Sequence, residues 1–383
     1  MGKAYARIPI TNVHGDGDYT GQIQVGPDRR TMNVLLDTGS SQLALDARKY
    51  QPSNQDQPTN LAQDCLYSDG SKWVGAVFKM TVSAGAWGVP IVLKKANVAL
   101  AYRSSGGMFD GIDGILGLAY SALDDARLMR DDPWTRRHTN LGRHGVRKKL
   151  KPYLTQLERL GVVSDRFAFY TRRSMVRVGH GHPADDIMNQ GLLVIGGSSD
   201  GRESTDLFQG RFQTARVLAR DYYNTNLKSI AVGRAAPIPV RPTHSKALPS
   251  NSIVDSGTTA IYFPKRLLER MVAQFEPEQQ KMLRRALHGY AVMARDLDLA
   301  KWPDITFVLE GRKSGRDARL KVKACDYWQV DAWRKGHALT AFGESSPGDG
   351  IILGLPLMNG YFTIFDGEAD RGRGEIRFAI RKG

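Results

Sequence analysis

A short motif that occurs twice constrains this chain more than any other feature of its sequence. Asp-Thr-Gly-Ser occupies residues 37–40 and Asp-Ser-Gly-Thr occupies residues 255–258, and each copy directly follows an apolar run. The two aspartates are 218 residues apart. Solenoid repeats have periods of about 20–50 residues, so this longer repeat favours two homologous lobes. Two carboxylates with hydroxyl neighbours would form an acid–base site where the lobes meet.

The rest of the chain predicts mostly short strands. Its 383 residues include 40 glycines and 17 prolines, which indicates many turns. Runs rich in apolar or β-forming residues occur at 6–10, 19–25, 32–36, 73–82, 91–101, 192–197, 222–232, 305–309, 361–365 and 375–380. Helices are expected at 150–160, 265–274 and 277–288. We therefore predict an all-β fold with a few short helices.

Each half of the chain also contains a later strand that carries an apolar-apolar-Gly sequence. Residues 112–120 contain Ile-Leu-Gly at 115–117, and residues 351–357 contain Ile-Leu-Gly at 352–354. Each copy of the aspartate motif thus has a matching strand further along the chain. We predict an N-terminal lobe over 1–197 and a C-terminal lobe over 198–383.

In this order, the motifs resemble those of the pepsin-like aspartic peptidases. The two aspartate motifs resemble the catalytic loops of that family, and residues 114–120 and 352–354 resemble the strands beneath them. Residues 67–71 resemble the tip of the family's active-site flap, and 221–223 the segment that opens the second lobe. The resemblance covers most of the chain except a basic stretch at about 122–151. It implies a bilobal acid protease fold whose lobes are related by a pseudo-two-fold axis.

The resemblance assigns the chemistry to Asp37 and Asp255, with one water between their carboxylates. One carboxylate would take a proton from the water while the other, protonated, donates to the scissile carbonyl. The glycines would let the two loops approach closely, the outer hydroxyls would orient the carboxylates, and the inner hydroxyls would tie the loops together. The supporting residues are Thr38, Gly39, Ser40, Ser256, Gly257 and Thr258.

The same resemblance implies a substrate-binding set at the flap and across the cleft. This set is Tyr67, Ser68, Asp69, Gly70 and Tyr222. The family has a Trp that bonds the flap tyrosine at the position of Ala44, and we expect Trp73 to be its substitute. The charge of Asp69 would favour basic or neutral substrate side chains near the flap.

These features predict an aspartic endopeptidase that hydrolyses internal peptide bonds. The resemblance implies an extended polypeptide bound as a strand in the interlobe cleft, bulky hydrophobic residues beside the cleaved bond, and no cofactor or metal. We expect an acidic optimum at roughly pH 4–5, and a monomer. An alternative is a catalytically weak or silent protein of the same fold that acts by binding or inhibition.

The net charge of +15 allows a third interpretation. The basic residues of 127–151 would bind nucleic acid or an anionic membrane surface. No nucleic-acid-binding motif is present, so we expect no nucleic acid partner. Steeply salt-dependent binding would distinguish this interpretation from the peptidase.

Cysteine use and the absence of a leader bear on the compartment. Cys65 and Cys325 lie in opposite halves and are expected to be free thiols, and the histidines at 180 and 182 are far from both in sequence, so we predict no metal site. No run of about 18 apolar residues predicts a membrane span, and residues 1–7 lack the apolar region of a signal peptide. Without the family's prosegment and disulfides, the chain is most similar to the prokaryotic members of the family, and a cytoplasmic location is favoured unless a leader has been removed.

Overall fold

A computed structural model describes residues 4–85, 90–129, 147–179, 181–242, 249–346 and 350–383. Most of the basic stretch at about 122–151 therefore lies outside the described residues, as does His180. No helix within these described ranges is long and apolar enough to cross a membrane.

The first half of the chain is built from twelve strands within the described ranges. They are β1 (Tyr5–Gly15), β2 (Asp18–Val25), β3 (Arg30–Asp37), β4 (Leu43–Asp46), β5 (Gln57–Leu66), β6 (Lys72–Ala84), β7 (Ile91–Ser105), β8 (Gly114–Gly117), β9 (Asp125–Leu128), β10 (Arg147–Lys149), β11 (Arg166–Tyr170) and β12 (Gln190–Gly196).

The second half repeats this style with shorter strands. They are β13 (Phe208–Arg216), β14 (Asn224–Thr225), β15 (Leu227–Val232), β16 (Ile238–Pro239), β17 (Ser252–Val254), β18 (Ile261–Phe263), β19 (Val292–Met293), β20 (Ile305–Leu309), β21 (Ala318–Val322), β22 (Trp328–Val330), β23 (His337–Thr340), β24 (Phe342–Glu344), β25 (Ile351–Leu353), β26 (Tyr361–Asp366) and β27 (Glu375–Arg381).

Helices are few and short in the described part of the chain. They are α1 (Tyr153–Arg159), α2 (Lys265–Val272), α3 (Pro277–Leu287), α4 (Ala324–Tyr327), α5 (Leu355–Met358) and α6 (Ala369–Gly372). Single 3₁₀ turns occupy Ser121–Leu123, Pro183–Asp185, Ile187–Asn189, Arg202–Ser204, Ala294–Asp296 and Leu299–Lys301. The prediction of a mainly β fold with a few short helices is confirmed.

Local sequence signals account for the ends of the longer helices. Helix α3 begins at Pro277, where the missing N–H costs no helical hydrogen bond, and the side chain of Gln279 accepts from the backbone N–H of Glu276 at 3.3 Å. Helix α1 is followed by Gly161, whose φ of +69° suits the left-handed position after a helix end. The predicted helices at 150–160, 265–274 and 277–288 are therefore confirmed, with ends a few residues shorter.

The largest sheet carries strands from both halves of the chain. Its order is β10-β9-β5-β6-β7-β4-β8-β3-β2-β1-β12-β11-β26-β27-β13. The halves join where β11 pairs antiparallel with β26, and Arg166 Nε lies 3.0 Å from Asp366 Oδ2 at the end of that pair. Both side chains are buried, and each has a second ion-pair partner, Glu368 for Arg166 and Arg377 for Asp366.

The aspartate repeat in the sequence corresponds to a repeat in strand pairing. In the first half β3 runs parallel to β8, which also pairs antiparallel with β4. In the second half β17 runs parallel to β25, which also pairs antiparallel with β18. Each aspartate loop joins two strands, β3 to β4 in the first half and β17 to β18 in the second. The strand between them, β8 or β25, pairs with both and supports the loop. The lobe boundary at 197 and 198 stays a prediction.

One predicted strand is wrong in its second part. The run 351–357 was expected to be continuous, but β25 ends at Leu353 and α5 begins at Leu355. A Cβ at Gly354 would lie 2.3 Å from the carbonyl oxygen of Thr258, so the backbone passes directly beneath the second aspartate loop there. The Leu355 N–H donates to that carbonyl at 2.8 Å, and Pro356 has no N–H with which to continue a ladder.

Candidate active site

Both aspartates of the repeat lie at the end of a buried strand. Strand β3 ends at Asp37, and Asp255 directly follows β17. Their exposed fractions are 4% and 8%. The parallel partners β8 and β25 hold these strand ends, because Leu36 lies opposite Leu116 and Val254 opposite Leu353. The positions of the two carboxylates are therefore set by packed sheet.

The two loops are locked together by the inner hydroxyl residues, Thr38 and Ser256. Thr38 Oγ1 accepts from the backbone N–H of Ser256 at 2.8 Å and donates to the carbonyl oxygen of Val254 at 3.2 Å. Ser256 Oγ accepts from the N–H of Thr38 at 3.1 Å and donates to the carbonyl oxygen of Leu36 at 2.8 Å. All four bonds are buried, so each hydroxyl satisfies two backbone groups of the opposite half.

The outer hydroxyl residues and the glycine amides orient the carboxylates. Ser40 Oγ donates to Asp37 Oδ2, and the Gly39 N–H donates to Asp37 Oδ1 at 2.7 Å. In the second loop, Thr258 Oγ1 donates to Asp255 Oδ2 at 2.7 Å, and the N–H of the following glycine donates to Oδ1 at 3.0 Å. Both oxygens of each carboxylate are therefore held in place by hydrogen bonds.

The glycines allow each loop to touch the carboxylate of the other. A Cβ at Gly39 would lie 2.9 Å from Asp255 Oδ2, and a Cβ at Gly257 would lie 2.4 Å from Asp37 Oδ1. Any side chain at either position would push the carboxylates apart, which explains why glycine occurs in both copies.

Burial and mutual repulsion keep a proton on this pair. Burial first, and then the charge of Asp255, raises the pKa of Asp37 to about 7. Burial also raises the pKa of Asp255, against the hydrogen bonds from Thr258 and Gly257 that favour its ionised form. Two buried carboxyls in contact titrate as a pair and share one proton over a wide pH range. Such a pair offers a base and an acid side by side.

The predicted flap is a hairpin between β5 and β6. The Tyr67 N–H donates to the Ser71 carbonyl at 2.9 Å, and Gly70 adopts a φ of +84°. Asp69 Oδ1 accepts from the N–H of Ser71 at 2.8 Å and from its hydroxyl at 2.6 Å, so this exposed carboxylate stabilises the turn. Ser68 is exposed on the same turn.

Trp73, the residue expected to substitute for the family's tryptophan, contacts the flap tyrosine. It follows the turn on β6, is 2% exposed, and its indole N–H donates to Tyr67 Oη at 3.4 Å. Ala44 belongs to the same buried cluster, where β4 lies beside β7 and β8. The small side chain at 44 therefore makes room for an indole that enters from the flap strand. Burial, then Cys65 and Asp37, raises the pKa of Tyr67 well above its usual range.

Tyr222 is the predicted site residue that approaches from the second half. Burial is the main cause of its raised pKa, and the charges of Cys65, Asp255 and Asp37 add to it. Tyr222 therefore lies near both the flap strand and the aspartate pair. Its neighbour Tyr223 is buried instead and donates from its hydroxyl to the Leu118 carbonyl at 3.1 Å, beneath the first loop.

Two residues near the site were not predicted from the sequence. Cys65 on β5 faces Tyr67 and Tyr222, and Asp18 at the start of β2 acts electrostatically on both aspartates of the pair. A Gly-Asp-Gly-Asp turn at 15–18 between two strands was the available signal for Asp18. Cys65 and Cys325 are free thiols. Within the described ranges, no group of three or more His, Cys, Asp and Glu side chains could hold a metal ion.

Two interlocked aspartate loops under a tyrosine-bearing hairpin define the site of an aspartic peptidase fold. The sequence matches the family described as eukaryotic aspartyl protease over residues 18–141 and 185–379. The chain belongs to this family. The predicted pepsin-like membership is thus confirmed, and a bilobal fold is the architecture that fits it.

Known relatives agree with this assignment at low identity. The chain is 23% identical to the β-secretase of Strongylocentrotus purpuratus, over 91% of this chain and 64% of that protein. It is 35% identical to polyporopepsin of Irpex lacteus, over 30% of this chain and 32% of the relative. It is 29% identical to rhizopuspepsin-5 of Rhizopus niveus, over 32% and 33%. Each match spans less than two thirds of the relative's own length. The likeness to prokaryotic members stays a prediction.

Proposed function

We propose that this protein is an aspartic endopeptidase in which Asp37 and Asp255 activate one water molecule for attack on a peptide carbonyl. The observation that carries this proposal is the contact between each loop's glycine and the opposite carboxylate. That contact leaves the two carboxyl groups side by side, interacting through a side-chain hydrogen bond.

The mechanism uses the single proton that the pair retains. The ionised carboxylate removes a proton from the water, and the resulting hydroxide attacks the carbonyl carbon. The protonated carboxyl donates its proton to the carbonyl oxygen, which gives a neutral gem-diol. Collapse of this intermediate transfers a proton to the leaving nitrogen and restores the shared proton. Ser40 and Thr258 hold the outer carboxylate oxygens during these steps.

The flap covers the substrate and provides the strand edge to which the substrate binds. An extended polypeptide binds under the hairpin by main-chain hydrogen bonds, and Tyr67 to Gly70 close over it. Tyr222 contacts the substrate from the opposite wall. Bulky hydrophobic side chains flank the cleaved bond. The pKa of about 7 at Asp37 supports an acidic working range, because the pair keeps its proton below that pH.

The alternative of a silent binding protein had one sequence feature in its favour, the alanine at 44. The hydrogen bond from Trp73 to Tyr67 weakens that argument, because the flap tyrosine has an indole partner from another strand. Four of the nine lysines and arginines on which the basic-stretch interpretation depends lie at 130–146, outside the described residues.

A digest of an unfolded protein at pH 3 to 8 tests the proposal, with and without a statine-type transition-state mimic. We expect cleavage at acidic pH that the mimic blocks and that Asp37→Ala abolishes. Undiminished cleavage by Asp37→Ala rejects the mechanism. Tight binding of the mimic without any cleavage would instead favour the silent binding protein.

A further inference from the structure

The turn between β1 and β2 reaches across to the second aspartate loop. Gly17 has a φ of +105°, and a Cβ there would lie 2.8 Å from Thr259 Cγ2 and 2.7 Å from the Ser174 carbonyl oxygen. The turn is therefore packed against the second half of the molecule. Asp18 is the next residue, and its carboxylate lies within electrostatic reach of Asp255 and Asp37.

One oxygen of the Asp18 carboxylate has no partner there. Its Oδ1 atom is shielded from solvent and makes no hydrogen bond within the described residues. The charged groups that act on it are Asp255, Asp37 and Asp16, all of them acids. A shielded carboxylate without a hydrogen-bond partner costs free energy, and more acids around it increase the cost. A cation that entered the cleft would remove this cost.

Further acidic residues also favour a cationic ligand in this otherwise basic protein. Tyr262 on β18 lies within electrostatic reach of both Asp18 and Asp69, and Tyr222 lies within reach of Asp221. Acids are therefore the charged groups that act on Asp18 and Tyr262, whereas the whole chain carries a net charge of +15. This contrast favours a cationic group on the ligand rather than an anionic one.

We propose that Asp18 is a specificity residue that forms an ion pair with a lysine or arginine side chain of the substrate. The inference rests on the proposed peptidase function and names a feature of its substrates. The basic residue occupies a subsite beside the β1–β2 turn, where Asp18 approaches Asp255. It is a different position from those of the hydrophobic residues that flank the cleaved bond.

The preference for a basic residue depends on pH. Burial, then Asp255, Asp37 and Asp16, raises the pKa of Asp18 well above its usual range, and Tyr262 is the further titratable group that faces it. Asp18 is therefore neutral at low pH and becomes ionised as the pH rises. The advantage of a lysine over a neutral side chain of equal length should increase in the same direction.

A series of statine-type peptides tests this inference by binding and by cleavage of the matching substrates. Each peptide carries one lysine at a different position, with norleucine there in its control. We expect one position at which lysine binds about tenfold tighter or more, the range for hydrogen bonds to charged groups. Asp18→Asn should abolish this ratio and leave the affinity for the norleucine peptide unchanged, which also reports that the variant is folded.

Asp16→Asn is the matched control. It removes a carboxylate two residues away, on an exposed residue with a φ of +51° that asparagine tolerates. We expect it to keep most of the lysine preference. In the unmodified protein the preference should also rise with pH, which gives a second measurement if Asp18→Asn does not fold.

The outcomes separate this inference from the proposed function. Cleavage without a lysine preference, or with one that Asp18→Asn retains, overturns the inference and leaves the peptidase proposal in place. An Asp18-dependent lysine preference in binding without any cleavage supports the inference and overturns the peptidase. Failure to bind any of the peptides overturns both.

Discussion

The two aspartate loops have nearly the same internal hydrogen bonds but different surroundings. In both, a glycine N–H and a hydroxyl two and three residues after the aspartate bond its carboxylate. The first loop is more enclosed, because Ser40 is 3% exposed and the flap covers it, whereas Thr258 is partly exposed. The second loop is instead approached by the β1–β2 turn through Thr259.

A repeated motif can therefore give two loops the same internal geometry while the residues around each loop differ. The inner hydroxyls place the carboxyl groups symmetrically. Burial raises the pKa of both, and the charge of Asp255 adds to this at Asp37, whose pKa rises to about 7. Five predictions test this comparison, from the largest expected effect to the smallest.

Replacing either aspartate tests whether the two loops are equally necessary for catalysis. We expect both Asp37→Asn and Asp255→Asn to lower kcat by about 10²–10⁴-fold, the usual contribution of a general acid or base. Peptidase assays with single-turnover controls measure the loss, and thermal unfolding checks that each variant is folded. Near-normal kcat in one of the two would show that the loops do not act as a pair.

Removing the inner hydroxyls tests the symmetry of the connection between the loops. Thr38→Val and Ser256→Ala each leave a backbone N–H and a carbonyl buried without partners. We expect each to lower the free energy of unfolding by about 2–4 kcal/mol, since an unsatisfied buried group costs about 1–3 kcal/mol. Urea unfolding measures both values. A large cost for only one would reveal that one loop carries the connection.

The pH dependence of stability tests the raised pKa of Asp37. The group binds its proton more tightly in the folded state than in the unfolded state, where the ordinary value is 3.8. Its stabilising contribution is therefore complete below pH 3.8 and is lost as pH rises through about 7. Over this window we expect the free energy of unfolding to fall by a few kcal/mol more in the unmodified protein than in Asp37→Asn.

The Asp255→Asn variant sharpens the same point. It removes one cause of the raised pKa of Asp37, the neighbouring charge, and keeps the larger one, burial. The pKa of Asp37, followed by carbon NMR of the carboxyl group, should fall below its value in the unmodified protein and stay above 3.8. An unchanged pKa would mean that the carboxyls do not interact.

Replacing Trp73 tests the cover over the first loop. Trp73→Phe removes the donor to Tyr67 and keeps an aromatic ring in the buried cluster. We expect kcat/KM to fall up to about tenfold, as one net hydrogen bond contributes about 0.5–1.5 kcal/mol. Tyr67→Phe is the matched variant, and the two losses should be less than additive when combined. Full additivity would mean that the two side chains do not act together.

The parts of this site that lie within or directly beside the aspartate motifs could be predicted from the sequence. The apolar runs before 37 and 255 and the two Ile-Leu-Gly strands were sufficient to predict paired, supported loops. Strands β5 and β13 were missed because their polar composition carries little period-2 signal, and β4 was missed because its four residues are too short a run to show one. Sequence order also could not predict that Asp18 and Cys65 approach the aspartates, since those distances depend on how the turns pack across the cleft.

The strand pairing also determines at what point during synthesis the site can form. The second loop needs β25, and the junction between the halves needs β26, which ends at Asp366. At about 5–20 residues per second, synthesis takes roughly 10–45 seconds to pass from Asp37 to Asp255. Contacts over such long sequence separations also form slowly. A nascent chain therefore remains without its two-carboxylate site until the residues up to Asp366 have left the ribosome.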